Sequence, residues 1–178
     1  MRLEGKVAIV TAAGRGIGRG IALELAAAGA DVVVNSFSED TTQSTADAVQ
    51  ALGRKALPVA GDITQPEIML ALVDQALKEF GRIDVLVNNV GAGPKSAIEP
   101  EAGPLGPVAA LWDALYAQNL RPVVLMTEAV IPHFKAQKSG KIIHISSIAG
   151  RSSLSAKMLE TFVHPSYGAM KAGLISYT

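Results

Sequence analysis

The chain contains no cysteine, which excludes disulfides, thiolate metal ligands and a cysteine nucleophile together, and suits a reducing compartment such as the cytoplasm. Aromatic residues are scarce at 4%, and no basic run is interleaved with them, so the footprint of a nucleic-acid binder is missing. Neither sign of charge is in excess, Lys plus Arg and Asp plus Glu each numbering 16. No apolar run approaches the length of a bilayer span. His133, His144 and His164 lack metal-ligand spacing and no carboxylates cluster with them, so no metal site is expected. Repeats and low-complexity segments are absent too. What is left as a partner is a small molecule, not a nucleic acid or a membrane.

Hydrophobic residues make up 49% of the 178 positions, enough for one substantial α/β core, so residues 1–178 are expected to form a single domain. The most telling stretch is Thr11-Ala12-Ala13-Gly14-Arg15-Gly16-Ile17-Gly18. It follows the apolar run Val7 to Val10 and leads into the helix-periodic Ile21 to Leu25. A buried strand, a small-residue turn and a helix in succession form the first half of a βαβ unit. A Cβ at position 16 or 18 would hold a pyrophosphate, or the next element, away from backbone N–H groups at the helix start.

Strands and helices then alternate. A second β-branched strand is expected over 30–35, a polar-faced helix over 40–52, a third strand over 55–62 and a helix opened by Pro66 and stopped by Gly81. A fourth strand is expected over 83–89, a loop over 91–107, and a long helical stretch over 108–137 interrupted by Pro122 and Pro132. A fifth strand over 140–146, a second loop over 147–164 and a helix opened by Pro165 complete the chain. This alternation predicts a doubly wound parallel sheet of Rossmann type with helices on both faces. The end of the second strand carries Ser36, Phe37 and Ser38 with no carboxylate before Glu39. In a dinucleotide fold an acid at that place accepts from the ribose hydroxyls and repels a 2′-phosphate. Trp112 is expected to be a core or interface anchor.

With the glycine turn, Asn88-Asn89-Val90-Gly91, Ser147 and Tyr167-Gly168-Ala169-Met170-Lys171 in the correct order, the sequence resembles the short-chain dehydrogenase/reductase family. It is most similar to the branch of 3-oxoacyl-[acyl-carrier-protein] reductases and related alcohol and sugar dehydrogenases. The chain departs from the family pattern at Ala12, where a glycine is usual, and at Val90, where an alanine is usual; Ala12 is costly only if its φ is positive. Family members continue with further strands and a substrate-covering segment after the YxxxK helix, so the chain is expected to be truncated at its C-terminal end.

The resemblance implies an NAD(P)(H)-dependent oxidoreductase interconverting a carbonyl, a ketone or 3-oxoacyl group, and a secondary alcohol. Tyr167 and Lys171 are four apart and project from one face of a helix. An ammonium near a phenol favours the phenolate, as a general acid/base at an alcohol requires. Ser147 follows the fifth strand, where ligands collect, and its hydroxyl is placed to donate to a substrate carbonyl. Ser146 competes for that role, but Ser147 has the family's x-x-Gly after it in Ile148-Ala149-Gly150. The implied catalytic set is Asn119, which relays protons in the family, with Ser147, Tyr167 and Lys171. For Asn119 the alternative is satisfying carbonyls freed near Pro122.

The implied cofactor set is Thr11, Ala12, Gly14, Arg15, Gly16, Ile17, Gly18, Ser36, Phe37, Asp62, Ile63, Asn89, Val90 and Gly91, together with Tyr167 and Lys171. Asp62 is also placed to cap the helix that follows. With Arg15 near a 2′-phosphate, NADP(H) is expected over NAD(H). Tyr167 comes 20 positions after Ser147, farther than the resemblance implies, so the loop before it, with Met158 and His164, is expected to bear on substrate choice. The family also implies a homo-oligomer, commonly a tetramer. The competing reading is an inactive dinucleotide-binding regulatory or scaffold protein of the same fold.

Overall fold

A computed structural model of the chain describes residues 2–92, 103–151 and 164–178. Of the loop expected over 147–164, residues 152–163, Met158 among them, lie outside the described residues. The chain falls into two compact units, Met1–Asn89 with Val124–Ile143, and Val90–Val123 with His144–Thr178.

The first unit is built on strands β1 (Val7–Val10), β2 (Asp31–Ser36), β3 (Ala56–Ala60), β4 (Val85–Asn88) and the start of β5 (Lys141–His144), in the order β3-β2-β1-β4-β5. The ladders β1 to β2, β1 to β4 and β2 to β3 are parallel, with Ala8 opposite Val32 on one side and Val85 on the other. Parallel central strands are covered on both faces, so their sequences are continuously apolar rather than alternating. Every residue of β1 and β4 is accordingly buried. Ile9, Val33 and Leu86 are fully enclosed, and each such side chain contributes about 1.5–3 kcal/mol.

Helices α1 (Gly16–Ala27), α2 (Glu39–Ala51) and α3 (Pro66–Phe80) follow the first three strands. The apolar period in α3 buries Met69, Leu72, Val73 and Ala76. Gly81 ends it in the left-handed conformation, φ 71°, with its N–H bonded to the Leu77 carbonyl. Below the sheet, Asp84 accepts from the Val7 backbone N–H and from Lys6 and Arg82. Gln137 closes a two-way bond with the backbone of Ile83, which fixes the end of the helix ahead of β5.

The helical stretch expected over 108–137 is two helices, α4 (Gly106–Asn119) and α5 (Arg121–Gln137). The break at Leu120 lies just ahead of Pro122, whose missing N–H cannot pair with the Gln118 carbonyl. Pro132 does not break α5 but sits inside it. Burial of Val123, Met126 and Val130 on that helix outweighs one lost hydrogen bond. Helix α4 starts at Gly106, within the expected loop, because Pro107 suits a first helical turn.

In the second unit, a 3₁₀ turn over Ile148–Gly150 follows β5, and helix α6 spans Pro165–Tyr177. The turn packs tightly on α6: a Cβ at Gly150 would lie 2.6 Å from the Lys171 backbone, and one at Gly168 would lie 2.9 Å from the Ala149 carbonyl oxygen.

Candidate active site

The glycine turn leaves β1 where the strand order reverses, the place where open parallel sheets bind ligands. Its shape is held from below. Ala13 N–H donates to the Asn35 carbonyl and Thr45 Oγ1 to the Ala13 carbonyl. Asn89 Nδ2 donates to the carbonyls of Thr11 and Ala12, at 3.2 and 3.1 Å, while its own N–H donates to Thr11 Oγ1. The resemblance puts Asn89 in the cofactor set; within this unit it ties β4 to the turn. A Cβ on Gly18 would collide with the Asn89 amide and lie 2.5 Å from the Ala12 carbonyl oxygen. Gly18 is therefore required by this packing.

On its outer side the turn is bare. No side chain caps the N-terminus of α1, a Cβ at Gly16 would meet nothing within 4 Å, and Arg15 and Ile17 are exposed. Uncapped N–H groups next to an exposed guanidinium suit a pyrophosphate, so these residues fit a dinucleotide. Ala12 has φ 51°, so the departure from glycine lies where a side chain costs energy.

At the end of β2, Ser36 is half-buried, Phe37 is 80% exposed, and Ser36 Oγ lies 3.4 Å from Thr41 Oγ1. A Cβ on Gly14 would strike both hydroxyls. Sequence reasoning missed Thr41 and Thr45, because only the fold brings helix α2 against the turn. Asp62 Oδ1 accepts from the backbone N–H and hydroxyl of Thr64, capping the turn ahead of α3, and Ile63 beside it is buried.

The second unit gathers the other expected residues. Lys171 is 3% exposed, donates from Nζ to the Ile145 carbonyl at 3.0 Å, and lies 5.9 Å from the centre of the Tyr167 ring. Burial lowers the Lys171 pKa from its ordinary value. Asn119 is fully buried: Oδ1 accepts from Ala92 N–H, and Nδ2 donates to the carbonyls of Ala92 and Leu115. That side chain fixes the backbone next to Gly91, where a Cβ would lie 2.7 Å from Asn119 Oδ1 and 2.9 Å from Lys171 Nζ. Val90, ahead of Gly91, is buried.

Ser146 Oγ donates to the Lys171 carbonyl at 2.7 Å. Ser147 Oγ accepts from Ala149 N–H, which leaves its proton to donate elsewhere. Among the described residues no cluster could hold a metal ion, and no helix is long and apolar enough to cross a membrane.

Residues 6–178 match the family model described as short chain dehydrogenase. The chain belongs to that family. It is 38% identical to the 2-dehydro-3-deoxy-D-gluconate 5-dehydrogenase of Escherichia coli strain K12, over 99% of this chain and 64% of that protein. A 3-oxoacyl-[acyl-carrier-protein] reductase of Thermotoga maritima is 33% identical over 100% of this chain and 67% of its own. Among solved structures, a 7α-hydroxysteroid dehydrogenase complexed with NADH and 7-oxo glycochenodeoxycholic acid superposes with a TM-score of 0.83 at 34% identity, covering 99% of this chain and 64% of that one. The chain thus spans about two thirds of the length of these relatives.

Proposed function

We propose that this protein is an NAD(P)(H)-dependent oxidoreductase that interconverts a carbonyl, such as a ketone or 3-oxoacyl group, and a secondary alcohol. The carrying observation is the buried Lys171 ammonium set against the Tyr167 ring on one face of α6. The nicotinamide cofactor supplies or accepts the hydride. Tyr167 gives its phenolic proton to the carbonyl oxygen as the alcohol forms and takes it back in the reverse direction. Lys171, desolvated and fixed by the Ile145 carbonyl, favours the phenolate that remains when Tyr167 has given up its proton. Ser147, with its hydroxyl proton unspent, orients the carbonyl and stabilises the developing negative charge. The use of Ser146 on the α6 backbone supports Ser147 for that role. Asn119 acts in proton relay by holding the Ala92 and Gly91 backbone in place, since its amide is engaged there.

The bare turn around Arg15, Gly16 and Ile17 would hold the pyrophosphate. Ser36, Phe37, Asp62, Ile63, Asn89, Val90 and Gly91 complete the cofactor set, and Arg15 with the hydroxyl at Ser36 favours NADP(H) over NAD(H). We also take residues 1–178 as one dinucleotide-binding and catalytic domain working in the cytoplasm as a homo-oligomer, a tetramer in the first instance. Val108, Trp112 and Tyr116, spaced at helical intervals along α4 and exposed by 50%, 38% and 46%, support burial against a second copy.

The test is turnover followed by nicotinamide absorbance against a panel of ketones, 3-oxoacyl thioesters and secondary alcohols, in the naturally expressed protein and in Tyr167→Phe. The variant should bind cofactor as the wild type does and lose at least about a hundredfold in kcat. Activity above about a tenth of wild type would remove Tyr167 from the acid/base role.

A further inference from the structure

We propose that His164 is the positioning residue for Tyr167: its imidazole Nδ1, lacking a proton, caps helix α6 and holds the turn on which the general acid sits. This rests on the carbonyl–alcohol reading of Tyr167 above.

His164 is the N-cap of α6, with extended backbone at φ −71° and ψ 143°. Pro165, Ser166 and Tyr167 are then the first three helical residues, so the phenol stands in the first turn. The first N–H groups of any helix have no partner within it, and a first turn left without one frays. Here Pro165 has no N–H to satisfy, Ser166 N–H donates to His164 Nδ1 at 3.3 Å, and Tyr167 N–H donates to the His164 carbonyl at 3.0 Å. One residue therefore serves both backbone donors that precede Gly168.

The hydrogen bonds fix the tautomer. An Nδ1 that accepts a backbone N–H carries no proton, so the proton of the neutral ring is on Nε2 and the Ser166 hydroxyl is the donor in its 2.6 Å contact with Nδ1. Ser166 is completely buried, which excludes this histidine–serine pair as a hydrolytic dyad and makes the serine a second pin on the ring. Further along α6 the helix is held by different means: the Ser146 hydroxyl on the Lys171 carbonyl and the close approach of Gly150 and Gly168 to their neighbours. Lys171 is thus anchored without His164, and Tyr167 is the member of the pair that depends on the cap. Loss of the cap should move the phenol relative to a lysine that stays in place, and misplacement of about 1 Å is worth up to 10²-fold in rate.

The experiment compares wild type, His164→Ala and His164→Asn in the naturally expressed protein, with Asn chosen because its side-chain oxygen caps a helix by the same acceptor role. Steady-state kinetics should show kcat falling about tenfold or more in His164→Ala with KM for the cofactor nearly unchanged, and recovery to within a few-fold of wild type in His164→Asn. Imidazole ¹⁵N spectra of the wild type should show Nδ1 unprotonated and Nε2 protonated at neutral pH. Equal kcat in His164→Ala and wild type would overturn the proposal, as would a protonated Nδ1. So would His164→Asn recovering thermal stability without recovering kcat, since the cap would then serve the fold alone. A wild type with no turnover on any member of the panel is a different failure: it removes the carbonyl–alcohol reading itself, and the positioning role with it.

Discussion

Replacing Ala12 by glycine should stabilise the protein, although glycine usually weakens one. Ala12 holds φ 51°, and the left-handed region costs an L-residue about 1–2 kcal/mol through the approach of Cβ to the following carbonyl. Against that relief stand the greater freedom of glycine in the unfolded chain, about 0.4–1 kcal/mol, and part of one half-buried methyl, a few tenths of a kcal/mol. The net gain is on the order of 0.5 kcal/mol, or one to two degrees in Tm at about 2–4 °C per kcal/mol for a chain of this size. Backbone contacts are untouched, since Asn89 reaches Ala12 through its carbonyl oxygen. The control is next door: Ala13 is fully buried and has no positive φ, so Ala13→Gly loses a packed methyl and adds unfolded-state entropy, about 1–2 kcal/mol of destabilisation. Urea unfolding of both variants, read as midpoint shifts at constant slope, should therefore give opposite signs. If Ala12→Gly lowers the midpoint as Ala13→Gly does, the left-handed turn is not the native conformation of Ala12.

Lys171→Met should remove turnover yet leave the fold no less stable at pH 7. Burial lowers the folded-state pKa of the lysine, so the unfolded chain binds the proton more tightly and wild-type stability rises with pH between the folded value and the ordinary one; the variant's advantage in denaturant unfolding should shrink over that range, and a variant unstable at every pH would contradict it. Asp84→Asn should cost on the order of 2 kcal/mol at neutral pH. Burial, the largest single influence on Asp84, opposes ionisation, but Arg82, the Val7 N–H and Lys6 together outweigh it and hold the carboxyl below 3.8; the wild type's advantage is thus complete above that pH and lost as pH falls through the lower folded value, and a gap that persists in strong acid would refute the assignment. Arg15→Ala should cut the NADPH to NADH ratio of kcat/KM by about tenfold, in line with about 1.5–3 kcal/mol for a charge-assisted contact; a ratio indifferent to Arg15 would refute its pairing with a 2′-phosphate.

The parts of the fold that were legible are those whose cause is local. The run Val7 to Val10 with the small-residue turn announced β1 and α1, because continuous apolar residues followed by glycines and a 3.6-residue period leave few alternatives. Pro66 and Gly81 marked both ends of α3 for the same reason. Proline gave a mixed signal: Pro122 coincided with a break and Pro132 did not, and the difference lies in burial of α5, which no window around a proline reports. The candidate site divides in the same way. Lys171 was placed against Tyr167 by spacing alone, since four residues on a helix are neighbours. The roles of Asn89, Thr45 and Asn119 as clamps on backbone 27 to 78 positions away were not readable, because hydrogen bonds across such separations exist only once the chain is folded.

The two adjacent serines show how a local ambiguity is settled by packing. Ser146 and Ser147 have the same chemistry and follow the same strand, and the backbone at Ser147 is extended, with φ −153° and ψ 155°. Successive side chains on extended backbone point to opposite sides. When one hydroxyl faces α6 the other must face away from it, and what chooses between them is the close approach of Gly150 and Gly168 to their neighbours. That approach brings the 3₁₀ turn onto α6 near enough for Ser146 to reach a backbone carbonyl at 2.7 Å. A side chain larger than hydrogen at Gly150 would push the turn off the helix and release Ser146, and with it the constraint that directs Ser147 to the other side. The glycine of Ser147-Ile148-Ala149-Gly150 therefore acts on the Ser147 hydroxyl without touching it.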